Sequence, residues 1–321
     1  MKRSLAAGLL SAALLVGALP APASAAPADT GPTLSVAKNK LAAALRCHGG
    51  EPGRTPVLLV PGTTLNPELN FDWNWTQAFL LEKRTFCSIE LPEQAMADIQ
   101  VAAEYVVFAI RTMRARTGGR ISVIGHSQGG MIGRWVLKFW PDTRRMVDDL
   151  IGLAPSNHGT QAANLLCNPD CAPAIWQQRE GSEFNRVLDD GPETVAGISY
   201  TVLYTSTDGV IVPPENSRLT TGQGDIANIR LSDACPGHVA DHISIGTYDA
   251  VSHALAIDAL DHPGPARVDR FDRAACTEPT QPGVNRQFLA VHYTRMMAAV
   301  GGTLVGTPHV AAEPELAPYA R

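Results

Sequence analysis

Residues 121–130, with the sequence ISVIGHSQGG, constrain the fold of this chain more than any other segment. Four residues of strand type at 121–124 run into the motif G-x-S-x-G at 125–129, and an apolar stretch of helical character at 131–140 follows at once. A turn this tight between a strand and a helix requires strained backbone angles at Ser127 and glycines beside it. The segment therefore predicts a serine whose hydroxyl is raised above the edge of a sheet, where a base and a substrate can both reach it.

Short apolar runs alternate with helical segments along the rest of the chain. Strands are predicted at 57–60, 86–91, 121–124, 150–155 and 200–204, and helices at 34–45, 94–117, 131–140, 183–188 and 287–304. Solidly apolar strands separated by helices indicate an α/β fold with a mostly parallel central sheet and helices on both faces. Residues 156–198 interrupt this rhythm, and we interpret them as a lid-like insertion over the C-terminal edge of the sheet.

The first 25 residues have the pattern of a secretory signal peptide. Lys2 and Arg3 precede an apolar run at 5–19, and the small residues Ala-Ser-Ala at 23–25 offer a cleavage site. The apolar run is short for a membrane span, and no other uninterrupted apolar run is long enough to cross a bilayer. We therefore expect a secreted, extracellular protein without a membrane span.

The mature chain is predicted to be one domain over 26–321, because neither an internal repeat nor a second core is visible. A loose leader is expected at 26–33 and an extended tail at 305–321. The formal net charge is −5 and no basic stripe is present, which argues against a nucleic-acid partner. We expect a monomer that acts on neutral or apolar molecules.

The cysteine count favours disulfides over a metal site. All six cysteines lie in the mature chain, and an even number in an oxidising compartment predicts structural disulfides. Cys167 and Cys171 have a loosely metal-like spacing, but no second close pair accompanies them. Spacing alone does not choose among the possible pairings.

A nucleophilic serine needs a base, and the base needs an orienting carboxylate. On a strand–turn–helix segment of this kind the chain order is serine, then acid, then histidine. Asp208 fits the acid best, because it follows the predicted strand at 200–204 and opens an Asp-Gly turn. The competing acids lie before that strand or in later polar loops: Asp189, Asp190, Asp225 and Asp233.

The base is left open between two histidines. His238 and His242 lie in one segment after Cys235, and spacing does not separate them. The remaining later histidines lie in helix-like stretches, in a polar loop or near the tail: His253, His262, His292 and His309.

An oxyanion requires donors that are fixed before the negative charge appears. The N–H of Gln128 follows the nucleophile and opens a helix, whose dipole favours negative charge. A second donor normally comes from the loop after an early strand. Here that loop is Pro-Gly-Thr-Thr at 61–64, in which Thr63 offers both an N–H and a hydroxyl, although the motif could equally serve only to turn the chain.

Several segments together resemble Candida antarctica lipase B and related secreted lipases of the α/β-hydrolase superfamily. They are collinear, they span nearly the whole mature chain, and they are far more specific than G-x-S-x-G alone. The segments lie at 56–63, 127–130, 176–178, 204–208, 241–242 and 318–321.

The resemblance implies a lipase or carboxylesterase that hydrolyses carboxylic esters, acylglycerols first among them, without a metal or other cofactor. It implies a small-molecule or lipid ester as substrate, with a lipid–water interface as one place of action. It assigns the nucleophile to Ser127, the acid to Asp208 and the base to His242. It also places the oxyanion donors at Thr63 and Gln128.

The same resemblance implies a disulfide pattern and a substrate pocket. The implied disulfides are Cys47–Cys87 and Cys235–Cys276, which leaves Cys167–Cys171 as the third. His126 stands where the family has tryptophan, so the pocket on the alcohol side is expected to be wider and more polar. Ser156 replaces an acidic residue near the acyl pocket, and Gln178 is a further candidate for the pocket wall.

Other functions remain open at this point. The enzyme alternatives are an esterase selective for polyesters or aryl esters, and an acyltransferase that excludes water. From another class, the chain could be a secreted binding protein on a hydrolase scaffold without catalysis.

Overall fold

The structure, a computed structural model, describes residues 30–321. The predicted signal peptide at 1–25 and the first part of the predicted leader lie outside the described residues. The described strands are β1 (Leu45–His48), β2 (Val57–Val60), β3 (Phe86–Ile89), β4 (Ile121–His126), β5 (Val147–Leu153), β6 (Ser199–Tyr204) and β7 (Asp225–Arg230).

The described helices surround this sheet. They are α1 (Lys38–Ala43), α2 (Pro67–Asn70), α3 (Trp75–Leu81), α4 (Ile99–Thr117), α5 (Gln128–Phe139), α6 (Gln161–Leu166), α7 (Pro173–Gln177), α8 (Glu183–Asp189), α9 (Leu231–Ala234), α10 (His242–Thr247), α11 (Ala250–Asp261) and α12 (Leu289–Gly306).

The sheet is parallel except at one edge. Its strand order is β1-β3-β2-β4-β5-β6-β7, and only β1 runs antiparallel to its neighbour. Because the carboxyl ends of parallel strands meet at one edge, the loops after β2, β4 and β6 open on the same side of the sheet. The predicted mostly parallel α/β sheet is confirmed.

Successive residues of the central strands bury their side chains in two separate apolar layers, one on each face of the sheet. Leu58 and Val123 point into a layer formed with α4 and α5, whereas Leu59 and Ile124 point into a layer formed with α3 and α11. All four side chains are at most 1% exposed. Burial on both faces explains why these strands are apolar throughout and not alternating.

The ends of several elements differ from their predictions. The helix predicted at 34–45 covers only Lys38–Ala43, and Leu45 instead begins β1, which pairs with β3. The helix predicted from 94 begins at Ile99, because residues 93–95 have positive φ angles that a right-handed helix cannot include. Strands β1 and β7 were not predicted, since their half-exposed residues form no solid apolar run.

The insertion and the tail both contribute contacts above the sheet. Residues 156–198 contain the short helices α6, α7 and α8, and whether they move as a lid stays a prediction. In the tail, α12 continues to Gly306, and Val310 forms an antiparallel bridge with Cys171.

Within residues 30–321, no helix combines the length and the apolar character that crossing a membrane requires.

Candidate active site

The G-x-S-x-G segment forms a strained turn between β4 and α5. Ser127 has φ 52° and ψ −122°, outside the regions that most residues adopt. A Cβ added to Gly129 would lie 2.3 Å from the carbonyl oxygen of Val60, and one added to Gly125 would lie 2.3 Å from the Gly129 carbonyl carbon. Both glycines are therefore required by close backbone approach. The turn places Ser127 at a cavity at the carboxyl end of the sheet.

Asp208 and His242 meet beside this serine. The His242 Nδ1 atom lies 3.0 Å from Oδ2 and 2.9 Å from Oδ1 of Asp208, and both side chains are buried. The N–H groups of Val210 and Ile211 donate to Asp208 Oδ1 over 2.9 and 2.6 Å. These two donors fix the orientation of the carboxylate, whose oxygens face the Nδ1 atom of His242.

The two loops that carry this pair are fastened to each other. The hydroxyls of Thr205 and Thr207, after β6, both donate to the carbonyl oxygen of Ala240, over 2.9 and 2.7 Å. Asp241 caps α10 by accepting the N–H of Ser244 over 2.8 Å, and His242 is the first residue of that helix. The position of the imidazole is thus set by a helix start and not by a free loop.

The structure distinguishes the two histidines that spacing left open. His238 points away from Asp208, and its Nε2 atom lies 2.6 Å from Oδ2 of Asp249. The hydrogen bond to Asp249 raises the pKa of His238. Of the two, only His242 contacts Asp208 and lines the cavity that holds Ser127.

The predicted oxyanion residues form one hydrogen-bonded chain with two of the three predicted pocket residues, Ser156 and Gln178. The hydroxyl oxygen of Thr63 lies 2.9 Å from Gln178 Nε2 and 3.2 Å from Gln128 Nε2, and both amides donate to it. Gln178 Oε1 accepts the hydroxyl of Ser156 over 3.0 Å, and Gln178 Nε2 also donates to the carbonyl of Ala174. These contacts fix the orientation of the Gln178 amide, and the Thr63 hydroxyl, which accepts from both amides, donates its own hydrogen to Gln178 Oε1 over 3.3 Å.

The cavity beside Ser127 is small and largely apolar. Its volume is about 230 Å³, and its polar lining includes Thr63, Gln178 and His242. Apolar walls come from the insertion, which is expected from the sequence to lie over this edge of the sheet, and from α12, for which the sequence analysis names no role at the site: Leu166, Ile175, Val300 and Leu304. Ser156 is wholly buried behind Gln178 and does not line the cavity.

His126 borders the cavity but directs its ring into the interior. The residue is 1% exposed, its Nδ1 atom lies 3.1 Å from Asn70 Oδ1, and its Nε2 atom lies 3.0 Å from the carbonyl oxygen of His242. Burial, together with the neighbouring His242 ring, lowers the pKa of His126 to about 3. The ring is therefore neutral at ordinary pH.

A second polar cluster lies away from Ser127. His158 Nδ1 is 2.9 Å from Asp189 Oδ2, and His158 Nε2 is 3.1 Å from Glu193 Oε1. Although burial opposes the charge, hydrogen bonds to these carboxylates raise the pKa of His158 to about 9. A metal ligand needs a neutral ring with a free lone pair. We therefore interpret the cluster as an ion-pair network, in which Asp189 also contacts the buried Arg134.

Three disulfides tie loops to the sheet and to each other: Cys47–Cys87, Cys167–Cys171 and Cys235–Cys276. The first joins β1 to β3, whose residues 47 and 87 are register partners. The last joins the segment that precedes His242 to the turn at Arg273–Thr277.

A groove of about 1070 Å³, larger and more open than the cavity beside Ser127, borders α11. None of the predicted catalytic residues lines this groove.

Comparisons with known proteins decide the family. No family model matches the chain. Lipase B of Pseudozyma antarctica is 32% identical over 303 residues, which cover 90% of this chain and 86% of that protein. The chain belongs to the lipase B family. This membership supports a carboxylic ester hydrolase of the lipase or esterase type.

Solved structures agree with lipase B membership. The crystal structure of Aspergillus fumigatus lipase B is 30% identical, covers 92% of this chain and 74% of its own, and has a TM-score of 0.83. A lipase of Bacillus licheniformis in its propeptide form is 17% identical, with coverage of 70% and 54% and a TM-score of 0.52, and this likeness concerns the fold alone. The α/β-hydrolase fold expected from the sequence is thus confirmed for this lipase B relative.

Proposed function

We propose that this chain is a secreted lipase or carboxylesterase that hydrolyses carboxylic esters through an acyl-enzyme on Ser127. The observation that carries the proposal is the contact of His242 with Asp208 at the cavity that holds Ser127. A strained serine at a strand–helix turn, a histidine and a buried carboxylate are the parts that nucleophilic ester cleavage needs. Secretion rests on the signal-peptide pattern and on the three disulfides.

Asp208 fixes the tautomer in the first step. Because the carboxylate accepts the Nδ1 hydrogen of His242, the lone pair on Nε2 is free to take a proton. His242 removes the hydroxyl proton of Ser127 as the serine oxygen attacks the ester carbonyl. The imidazolium then protonates the departing alcohol, and an acyl group remains on Ser127.

Thr63 and Gln128 hold the negative charge that develops on the carbonyl oxygen. Two amides hold the Thr63 hydroxyl oxygen in place. Its hydrogen faces Gln178 Oε1 over a long 3.3 Å before substrate binds, and we assign that hydrogen to the oxyanion in the substrate complex. The N–H of Gln128, at the start of α5, supplies a second donor. In the second step His242 activates water, which releases the acid and restores the enzyme.

A lipid ester at an interface suits the rim of the cavity. Leu166 and Leu304 line the cavity, and their neighbours Leu165 and Val305 are 84% and 86% exposed. Large exposed apolar side chains beside a cavity favour contact with an apolar phase. Acylglycerols are therefore the first substrates to test, with polyesters and aryl esters as the alternatives.

Replacement of Ser127 tests the proposal. Ser127→Ala should lower turnover of p-nitrophenyl butyrate by a factor of about 10⁴ or more and abolish labelling by a fluorophosphonate probe. A binding protein on a hydrolase scaffold would neither turn over the ester nor label in its native form. Activity of the Ser127→Ala variant near that of the native enzyme would falsify the assignment. Acid release measured with and without a competing alcohol separates hydrolysis from acyl transfer.

A further inference from the structure

Two fully buried polar side chains lie beneath the proposed catalytic residues and take no part in the proposed steps. Asn70 is 0% exposed and His126 is 1% exposed. Asn70 is the last residue of α2, and His126 is the last residue of β4, directly before Ser127. Burying such groups is costly unless they are hydrogen-bonded, so their contacts indicate what they hold.

Asn70 joins two segments of the site. Its Oδ1 atom accepts the N–H of Gly62 over 3.0 Å, and Gly62 directly precedes Thr63. Its Nδ2 atom donates to the carbonyl of Gly246 over 3.3 Å, and Gly246 lies in α10, the helix that begins at His242. The two contacts fix the amide orientation, because a flipped amide would place donor against donor and acceptor against acceptor.

His126 adds the third segment. Its Nδ1 atom faces Asn70 Oδ1 at 3.1 Å and its Nε2 atom faces the carbonyl oxygen of His242 at 3.0 Å. The loop at 61–64 that carries Thr63 (the oxyanion loop), the turn at Ser127 and helix α10 therefore meet at the pair Asn70–His126.

The surroundings leave a fitted space for this ring. A Cβ added to Gly246 would lie 2.1 Å from the nearest carbon of the His126 ring, and one added to Gly62 would lie 3.2 Å from its Nδ1 atom. Glycine on each neighbouring segment thus allows the ring to approach both backbones.

The neutral ring carries one N–H but faces two acceptors. Asn70 Oδ1 already accepts the N–H of Gly62, whereas a hydrogen on Nε2 forms a hydrogen bond to the carbonyl of His242. We therefore assign the ring hydrogen to Nε2. In this tautomer the ring is bonded to the backbone of the residue that acts as base.

We propose that His126 is a positioning residue, which holds the backbone of His242 through its Nε2–H while Asn70 links both to the oxyanion loop. This proposal rests on the proposed function, since it assigns His126 a task in aligning His242 with Ser127. Small displacements of a catalytic group are expensive, because about 1 Å of misplacement can cost on the order of 10²-fold in rate.

Two substitutions separate the contacts of the two ring nitrogens. In His126→Gln the side-chain amide nitrogen stands near the position of Nε2 and can still reach the His242 carbonyl. In His126→Asn the amide stands near the position of Nδ1 and reaches only Asn70. We expect His126→Gln to keep kcat for p-nitrophenyl butyrate within threefold of the native value, and His126→Asn to lower kcat at least tenfold with KM changed less than twofold.

The same pair of substitutions at His253 provides the control. His253 is also buried, 4% exposed, but lies in α11 and borders the larger groove. His253→Gln and His253→Asn should have equal kcat values. A downfield NMR signal from the Nδ1 hydrogen of His242 should persist in His126→Gln and broaden or shift in His126→Asn.

Equal kcat values for the two His126 variants, or an effect confined to KM, would overturn the proposal, and the latter would mark His126 as a pocket wall. If His126→Asn does not fold, Asn70→Asp decides, because it keeps the side-chain size but replaces the donor to Gly246. It should lower kcat at least fivefold, and an unchanged kcat overturns the proposal. Failure of the proposed function is a distinct result, because then Ser127→Ala itself retains activity.

Discussion

Gln178 donates its amide hydrogen to the hydroxyl oxygen of Thr63 over 2.9 Å, which joins residues 115 positions apart in the chain. The contact matters because, together with the amide of Gln128, it fixes the position of the Thr63 hydroxyl oxygen. A hydroxyl that already accepts from Gln178 and Gln128 is arranged before any substrate arrives, and such prearranged donors are a large part of catalysis on acyl groups. Ser156 supports the arrangement because its hydroxyl donates to Gln178 Oε1 and so helps to fix which way the amide faces.

Removal of the Thr63 hydroxyl is expected to slow the chemistry. Thr63→Ala should lower kcat about 10²-fold with little change in KM, because the donor acts mainly on the oxyanion of the transition state. Thr63→Ser keeps the hydroxyl and should retain most of the activity. Steady-state kinetics on one soluble ester compare the three proteins, and equal losses in the Ala and Ser variants would contradict a role for the hydroxyl.

Asp208 should be far more important for turnover than Asp249, another buried aspartate that contacts a histidine. Asp208→Asn should lower kcat about 10⁴-fold, since an amide no longer holds the reactive tautomer of His242. Asp249→Asn, which alters the partner of His238, is the matched control and should leave kcat nearly unchanged. A larger loss in the Asp249 variant would mean that His238 is the base.

The serine turn should tolerate no side chain at Gly129. Gly129→Ala puts a Cβ 2.3 Å from the Val60 carbonyl oxygen, and we expect it to lower the free energy of unfolding by about 2–3 kcal/mol. Gly119→Ala, at a position with no neighbour within 4 Å, should have little effect. Urea unfolding measures both, and a Gly129 variant as stable as the native chain would contradict the described turn.

The ion-pair network at His158 should make the free energy of unfolding fall as the pH becomes alkaline. The folded-state pKa of about 9 lies above the ordinary value of 6.5, so the network's contribution is fully present below about pH 6.5 and is lost as the pH rises through about 9. We expect His158→Gln to cost on the order of 2 kcal/mol at about pH 6 and much less at about pH 10. Free energies of unfolding for both proteins at the two pH values test this, and an equal difference at both would count against it.

The serine turn could be predicted because its information is local. The strand, the glycines around Ser127 and the following helix are consecutive in the chain, and short-range sterics alone require that order of residues. The central apolar strands could also be predicted, because strands that are buried on both faces consist of consecutive apolar residues. Positions after predicted strands already marked Asp208 and Thr63 as candidates, and the family resemblance added the choice of His242 over His238. These roles stay predictions until the variants are measured.

Only the tertiary structure decided which groups meet. Spacing along the chain does not distinguish His238 from His242, which are four positions apart. In the structure His238 contacts Asp249 and His242 contacts Asp208, because Asp241 caps a helix that begins at His242. The sequence marked His126 as a pocket residue and gave no reason to notice Asn70. Folding brings both beneath Ser127, since hydrogen bonds between segments 56 and 116 residues apart form only once the sheet has aligned its loops.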